Sequence, residues 1–204
     1  QVEGSGGGNH LLWGGPSLAS NPFFQRPAWL VGILRYWQHH PSLAYLFSGN
    51  SVGPASQAPR PDEGSAAWLD LELAHGVLEG LPAGDQRIAI SETLRHLHAD
   101  KSGNTHRSEF CIDKLYSPDS STGRLGLLEL RAFEMPPHAR MSVAQQLLLR
   151  ALVARFWHQP WHGKLTRWGT ELHDRHLLPT FVRMDFEDVL EDLAQYGYAF
   201  DKSW

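Results

Sequence analysis

The chain has 204 residues, which is enough for one domain with a sizeable core or for two small domains. Hydrophobic residues make up 42% and charged residues 20%, an ordinary globular composition, and no apolar run is long enough to span a membrane. The net charge of −4 and the absence of a basic stripe argue against a general nucleic-acid-binding protein.

A glycine-rich segment, GSGGGNH at residues 4–10, comes first and leads into the apolar run LLW, which predicts a short strand. Glycines let backbone N–H groups approach an anion closely, so the segment is either an anion-binding loop or a flexible linker. His10 at its end is a candidate ligand for metal or phosphate. Because the chain starts at Gln1 without a methionine, we expect residues 1–204 to be one domain excised from a larger protein.

The next segments predict helices separated by a long loop. RPAWLVGILRYWQ at 26–38 has an early proline and apolar residues at helical spacing. Residues 48–66 are rich in Gly, Pro and Ser and predict a long loop of the kind that often carries function. Residues 66–78 are ambiguous, since their leucines alternate as in a strand while their composition suits a helix. Residues 90–100 predict a helix.

Two segments in the middle of the chain alternate charged and apolar residues, RSEFCID at 107–113 and GRLGLLELRAF at 123–133. Because successive strand residues face opposite sides, Glu129 and Arg131 share one face and the leucines beside them share the other. Turn residues between the segments predict a hairpin-like connection. The charged face is either a polar site for anions and metal or a solvated antiparallel sheet with cross-strand Arg–Glu pairs.

Two longer helices are predicted after the hairpin. MSVAQQLLLRALVARFW at 141–157 has an apolar face, and Ser142 with Gln145 has the pattern of a capping box. A last helix is predicted over residues 180–195, with Gly197 as its C-terminal cap. Strands and helices without regular βαβ alternation predict an α+β fold, with an antiparallel sheet and helices on one face.

Among the reactive residue types, the arginines give the clearest signal. Guanidinium groups suit carboxylate or phosphate recognition, and candidates are Arg60 in the long loop, Arg107, Arg131 and Arg140. Cys111 lies between apolar neighbours, which favours a buried structural thiol over a nucleophile. A single cysteine excludes an intrachain disulfide framework and fits a reducing cytoplasm. None of the twelve histidines forms a diagnostic zinc pattern.

Five segments closely resemble a bacterial family: SGGGNH, HPSLAYLFSG, GPASQAPRPDE, GNTHRSEFCIDKLYSPDSSTGRLGLLELRAFEMPPHARMS and LTRWGTELHDRHLLP. The family is the amidoligase domain found C-terminal to transglutaminase-like domains, and the resemblance spans essentially the whole chain. It is assigned to the carboxylate–amine ligase class with a glutamine synthetase-like fold. The resemblance therefore implies that residues 1–204 are a piece of a larger amidoligase domain.

The resemblance implies roles for the residues that match motifs of the class. A glycine-rich segment ending in His meets metal or phosphate in that class, which places His10 on metal and Gly7, Gly8 and Asn9 on the nucleotide. AFEMPPHARMS resembles the proline-containing turn that leads into a long helix, and it carries Arg140 as a further nucleotide- or substrate-binding candidate.

The two charged segments also match motifs of the class. THRSEF resembles a strand that supplies an arginine to the nucleotide phosphates, which places Arg107 there. LELR matches a Glu-x-Arg strand, with Glu129 on metal and Arg131 on substrate or phosphate. Arg60 is expected to orient the substrate carboxylate.

Together these features predict an ATP-dependent carboxylate–amine ligase that forms an amide through an acyl phosphate. Mg²⁺, held by Glu129 and His10, and ATP are the implied cofactors. A carboxylate and an amine, on small molecules or peptides, are the implied substrates, and a transglutaminase-like domain in the same polypeptide is the implied partner. We expect a cytoplasmic location and no nucleic-acid or membrane partner, and we allow for a homo-oligomer.

Two alternative functions stay open. One is a non-catalytic module that binds a peptide or an amino acid, and the other is a metal-dependent hydrolase.

The ligase class brings further metal-binding carboxylates from strands that precede the glycine-rich segment. We therefore expect residues 1–204 alone to be inactive.

Overall fold

The computed structural model describes residues 8–49, 60, 65–99, 102–105 and 108–203. These residues form helices and a small sheet, and the predicted α+β class is confirmed. In chain order the elements are β1 (Leu11–Gly14), α1 (Pro22–Gln25), α2 (Pro27–His39), α3 (Ser42–Tyr45), α4 (Ser65–Glu79), α5 (Arg87–Leu94), β2 (Phe110–Cys111), β3 (Leu127–Leu130), α6 (Ala139–His158), α7 (Glu171–Asp174) and α8 (Pro179–Gln195). No helix among the described residues combines the length and apolar character needed to cross a bilayer.

The three strands form one antiparallel sheet in the order β1–β3–β2, so β3 lies in the middle. Leu11 opposes Leu130 and Trp13 opposes Leu128 across β1 and β3, while Phe110 of β2 also opposes Leu130. These side chains pack with residues of α2 and α6 and form the apolar side of the sheet. The apolar back predicted for the sheet is therefore present.

The predicted hairpin-like connection between the charged segments is confirmed, but both strands are shorter than predicted. β2 ends at Cys111 because a turn follows, closed by a hydrogen bond from Leu115 N–H to the Ile112 carbonyl at 2.8 Å. β3 begins after Gly126, whose φ of 69° is left-handed and is adopted by glycine without strain.

α2 is the central helix of the core and confirms the helix predicted at 26–38. It starts at Pro27, and nearly all of its residues are buried. Its Arg35 therefore needs partners, and it forms ion pairs of 2.7 Å with Glu79 and 3.7 Å with Glu72 of α4. The ambiguous segment at 66–78 is helical, within α4, and the helix predicted at 90–100 starts and ends earlier, as α5.

The helix predicted at 141–157 is confirmed as α6, but its predicted capping box is wrong. His138 is the N-cap, and its Nδ1 accepts a hydrogen bond from the Arg140 N–H at 3.1 Å. Ser142 lies inside the helix. The physical reason is the pair of prolines before His138, which favours an extended chain up to that point and lets the helix begin directly afterwards.

The last helix is confirmed as α8, and its predicted glycine cap is present. Gly197 has a φ of 88°. Its N–H donates to the Ala194 carbonyl, and the Tyr198 N–H donates to the Leu193 carbonyl, both at 3.0 Å. This pair of bonds is the Schellman arrangement, which satisfies carbonyl groups at the helix end.

Candidate functional site

Glu129 lies at the centre of the sheet, paired on both sides. It opposes Leu12 of β1 and Cys111 of β2. Because its neighbours Leu128 and Leu130 belong to the core, the Glu129 carboxylate points to the other face of the sheet. Its side chain is nevertheless only 1% exposed. A charge in that position requires partners.

Three nitrogen groups converge on one oxygen of this carboxylate. Glu129 Oε1 lies 2.8 Å from Lys114 Nζ, 3.2 Å from His10 Nδ1 and 3.4 Å from Arg131 Nη1. His10 comes from the segment before β1, Lys114 from the turn after β2, and Arg131 directly follows β3. We call these four residues the Glu129 cluster, and all three strands position it.

Burial and neighbouring charges shift the pKa of the Glu129 carboxyl group in opposite directions. Burial raises the pKa of its carboxyl group, but the hydrogen bonds from His10 and Lys114 and the charge of Arg131 lower it by more, so the pKa is about 2. Glu129 is therefore ionised at neutral pH and can only accept hydrogen bonds. Consequently, a neutral His10 carries its proton on Nδ1 and has a free lone pair on Nε2.

Gly8 leaves room for the His10 imidazole. A Cβ atom added to Gly8 would lie 2.6 Å from His10 Nε2, which is too close for unbonded atoms. Gly8 also forms an antiparallel bridge with Glu134, and the Asn9 N–H donates to the Phe133 carbonyl at 2.8 Å. These contacts hold Gly8 and Asn9 against the chain beyond β3 and place His10 beside Glu129.

Two buried atoms of the cluster have no partner among the residues that the structure describes. One is the acceptor Glu129 Oε2 and the other is the donor Arg131 Nε. Buried polar atoms almost always form a hydrogen bond, so such atoms point to a ligand or to water. An acceptor and a donor in one cluster suit a ligand that has both a cationic and an anionic part.

The cluster does not fit a metal ion held by protein ligands alone. Within the described ranges, no three His, Cys, Asp or Glu side chains are placed to hold one. Lys114 and Arg131 also outnumber the single carboxylate. An Mg²⁺ ion bound to nucleotide phosphates, however, needs only one or two protein carboxylates, and Glu129 Oε2 is available for that.

The structure brings together three residues predicted from the sequence: His10, Glu129 and Arg131. The predicted common face of Glu129 and Arg131 is confirmed by their 3.4 Å ion pair. Gly7 and Arg107 lie outside the described residues, so their roles stay predictions.

Arg60 and Arg140 have other surroundings. Arg60 is 2% exposed, and its Nη2 donates to the Gln38 carbonyl at 2.5 Å, near the end of α2. The same carbonyl accepts a hydrogen bond from Trp168 Nε1 at 3.0 Å. A cation at a helix C-terminus is stabilised by the helix dipole, which gives Arg60 a structural role. Arg140 is exposed in the first turn of α6, and the binding roles of both arginines stay predictions.

Lys114 is the cluster residue that the sequence pattern does not predict. Continued alternation from Phe110 and Ile112 would put Lys114 on the apolar side. The turn after Ile112 shifts this pattern by one residue, so that Leu115 enters the core instead. The Leu127 N–H then donates to the Lys114 carbonyl at 3.1 Å and fixes Lys114 beside β3. The apolar spacing of three between positions 112 and 115 is the one signal of this turn.

Cys111, His75 and His176 are buried and lie outside the cluster. Cys111 is fully buried, and burial raises the pKa of its thiol to about 12, which supports the structural interpretation. Burial also lowers the pKa of His75 to about 3 and lowers that of His176. Both histidines are therefore neutral at pH 7, and no metal-binding group forms around them within the described residues.

Comparison with known proteins gives one family for the whole chain. A family model with the description "Putative amidoligase enzyme (DUF2126)" matches residues 1–204. No curated protein and no solved structure matches the chain.

Proposed function

The chain belongs to the DUF2126 family, and from that membership we propose that it joins a carboxylate to an amine with ATP as the energy source. The carboxylate accepts the γ-phosphoryl group of ATP, which gives an acyl phosphate and ADP. The amine then displaces phosphate and forms the amide. The observation that carries this proposal is the Glu129 cluster, where an ionised carboxylate lies beside the cationic groups of Lys114 and Arg131 and one of its oxygens has no partner among the described residues.

Glu129 is suited to hold a nucleotide-bound Mg²⁺ ion. When bound, this ion reduces the negative charge of the phosphates that repels the incoming carboxylate. Glu129 Oε2 is buried, ionised and free of partners among the described residues. The donors on Oε1 fix the orientation of the carboxylate. His10 Nε2 is the second candidate ligand, and metal-binding histidines typically donate their other N–H to a carboxylate, as His10 does here.

Arg131 is suited to neutralise charge on the group that is transferred. It lies directly after the central strand, and its Nε has no acceptor among the described residues. Donors fixed before the reaction are effective because they need not reorganise as charge develops. In the proposal, Arg107 supplies a second guanidinium to the phosphates, and Gly7 and Gly8 supply backbone N–H groups.

The proposed substrates are a carboxylate and an amine on small molecules or peptides. Arg60 is proposed to orient the carboxylate and Arg140 to contact nucleotide or substrate. A transglutaminase-like domain in the same polypeptide is the proposed partner, because both domains would act on amide and amine groups.

The test is ATP-dependent formation of hydroxamates. The full-length protein is incubated with Mg-ATP, hydroxylamine as the amine, and a panel of amino acids and peptides as acids, and ADP and hydroxamate are measured. We expect both products in equal amounts and the loss of both in Glu129→Gln. Glu191→Gln is the matched control, because Glu191 is exposed and pairs with Lys202 at 3.1 Å. The same assay on residues 1–204 alone tests their predicted inactivity.

Two other results would contradict the ligase proposal. Binding of an amino acid or peptide without any ATP turnover would favour the non-catalytic module. Metal-dependent hydrolysis without ATP would favour the hydrolase.

A further inference from the structure

The Glu129 cluster contains more positive charge than its own carboxylate neutralises. Lys114 Nζ and Arg131 Nη1 lie 2.8 and 3.4 Å from the same oxygen of Glu129. Among these three side chains, one negative charge therefore faces two positive ones at a partly buried position. Because unbalanced charge away from water is costly, an anion bound at this place would stabilise the cluster.

The two cations differ in how firmly they are held. The Arg131 side chain is 13% exposed, whereas that of Lys114 is 38% exposed. An ammonium group has three N–H donors, and Glu129 Oε1 accepts one from Lys114, so two remain for other acceptors. Lys114 is therefore the cation that can most easily contact a ligand from solvent.

The backbone of Lys114 is fixed although its side chain is accessible. Its carbonyl accepts hydrogen bonds from the N–H groups of Leu125 at 3.2 Å and Leu127 at 3.1 Å. The turn closed by Leu115 and Ile112 holds it from the other side. A flexible four-carbon stem on a fixed anchor allows the ammonium group to change partner without moving the sheet.

We propose that Lys114 binds the reacting oxyanion of the substrate, and that it moves from Glu129 Oε1 to this oxyanion on binding. The oxyanion is either the carboxylate of the acid or the phosphoryl group that the acid receives. Arg131 and His10 remain on Glu129 after the exchange, so its carboxylate stays neutralised. The assignment rests on the proposed function and adds the residue that recognises the reacting anion.

The test compares oxyanion binding by variants of the full-length protein. Pyrophosphate serves as the phosphoryl probe and glutamate as the carboxylate probe, and affinities are measured by calorimetry. Lys114→Met keeps the stem and removes the charge, and we expect it to weaken binding by about tenfold or more, as for loss of a charged hydrogen bond. Lys114→Arg keeps the charge and should retain most of the affinity. Lys202→Met is the control, since Lys202 pairs with Glu191 on the surface.

The two probes separate the two sources of the anion. Weakened binding of pyrophosphate alone assigns Lys114 to the phosphoryl group, and weakened binding of glutamate alone assigns it to the carboxylate. Unchanged affinity for both in Lys114→Met would overturn the inference, as would a wild-type protein that binds neither probe. Lys114-dependent binding without ATP turnover would support the inference and contradict the proposed function alone.

A second measurement needs no variant and covers a failure of Lys114→Met to fold. Reductive methylation modifies accessible lysines, and Lys114 is accessible. We expect a bound probe to slow methylation of Lys114 and to leave that of Lys202 unchanged. Equal rates at Lys114 with and without saturating probe would contradict the inference.

Discussion

At the scale of single residues, Glu129 combines the two interpretations that its sequence context allows. Its Oε1 forms ion pairs with Arg131, which directly follows its own strand, and with Lys114, which follows β2, as charge pairing within a sheet would. It also has a second oxygen with no partner among the described residues, as a binding site would. The observed charge pairing of Oε1 and the proposed ligand binding by Oε2 therefore involve different oxygens of one carboxylate.

Replacing Glu129 is expected to affect stability as well as turnover. Glu129→Gln leaves Lys114 and Arg131 facing no negative charge, which should lower the free energy of unfolding by on the order of 2 kcal/mol. Urea denaturation at pH 7 measures the change. Glu191→Gln removes an exposed partner and should change stability by less than about 0.5 kcal/mol. A Glu129→Gln protein as stable as the wild type would show that the cluster is not held by its charges.

At the scale of the elements, the sequence predicts helices well where apolar spacing reflects burial. α6 and α8 are examples, because apolar residues at helical spacing, such as Leu152 of α6 and Leu193 of α8, pack in the core. The sequence of α4 is ambiguous between helix and strand for a physical reason: Leu69 and Leu73 are 52% and 62% exposed, whereas Leu71 between them is buried. The alternation that resembled a strand thus came from leucines on the exposed face of a helix.

In the candidate site, too, the sequence pattern predicts some residues and misses others. The period of two placed Glu129 and Arg131 together, because both lie along one strand and its continuation. Lys114 depends on one hydrogen bond in a turn, between Leu115 and Ile112, which no residue period encodes. His10 is a candidate ligand because it follows the glycines, and the family resemblance supports that role, but nothing local in the sequence places it opposite Glu129.

The start of α6 offers a direct test of the two capping arrangements. His138→Ala removes the acceptor for the Arg140 N–H, and we expect a loss of about 1 kcal/mol, typical of an N-cap. Ser142→Ala should change stability by less than about 0.5 kcal/mol, because this residue lies inside the helix. Chemical denaturation measures both. A larger loss for Ser142→Ala than for His138→Ala would restore the predicted capping box.

At the scale of the whole molecule, His75 and Glu129 each contribute to a loss of stability on acidification, in different pH ranges. His75 has a pKa of about 3 in the fold against 6.5 normally, so the unfolded chain binds the proton first and stability falls as pH drops from 6.5 towards 3. Glu129 has a pKa of about 2 against 4.5 normally, so its contribution is present above 4.5 and is lost as pH falls towards 2. The two ranges overlap only between about 3 and 4.5.

Variants should separate these ranges. Between pH 6.5 and 5, protonation linked to His75 alone should lower the free energy of unfolding by about 2 kcal/mol. His75→Gln should remove this part of the dependence of stability on pH. Glu129→Gln should reduce the slope of stability against pH only below pH 4.5, and part of that slope should remain because the pKa values of Asp185 and Glu79 are also lowered. Urea denaturation at a series of pH values measures both. In His75→Gln, stability should still fall somewhat between pH 6.5 and 5, because burial also lowers the pKa of His39 and His176.

Cys111 lies across from Glu129 in the β2–β3 pair, and it is the sole thiol of the chain. It is fully buried and un-ionised at neutral pH, so an alkylating reagent can reach it only after the sheet beneath Glu129 opens. Its alkylation rate therefore reports how often the sheet opens. A ligand that binds only the closed sheet lowers this rate by a factor of one plus the ratio of the ligand concentration to its Kd. The molecule therefore contains its own reporter of site occupancy, which works before any reaction product is known.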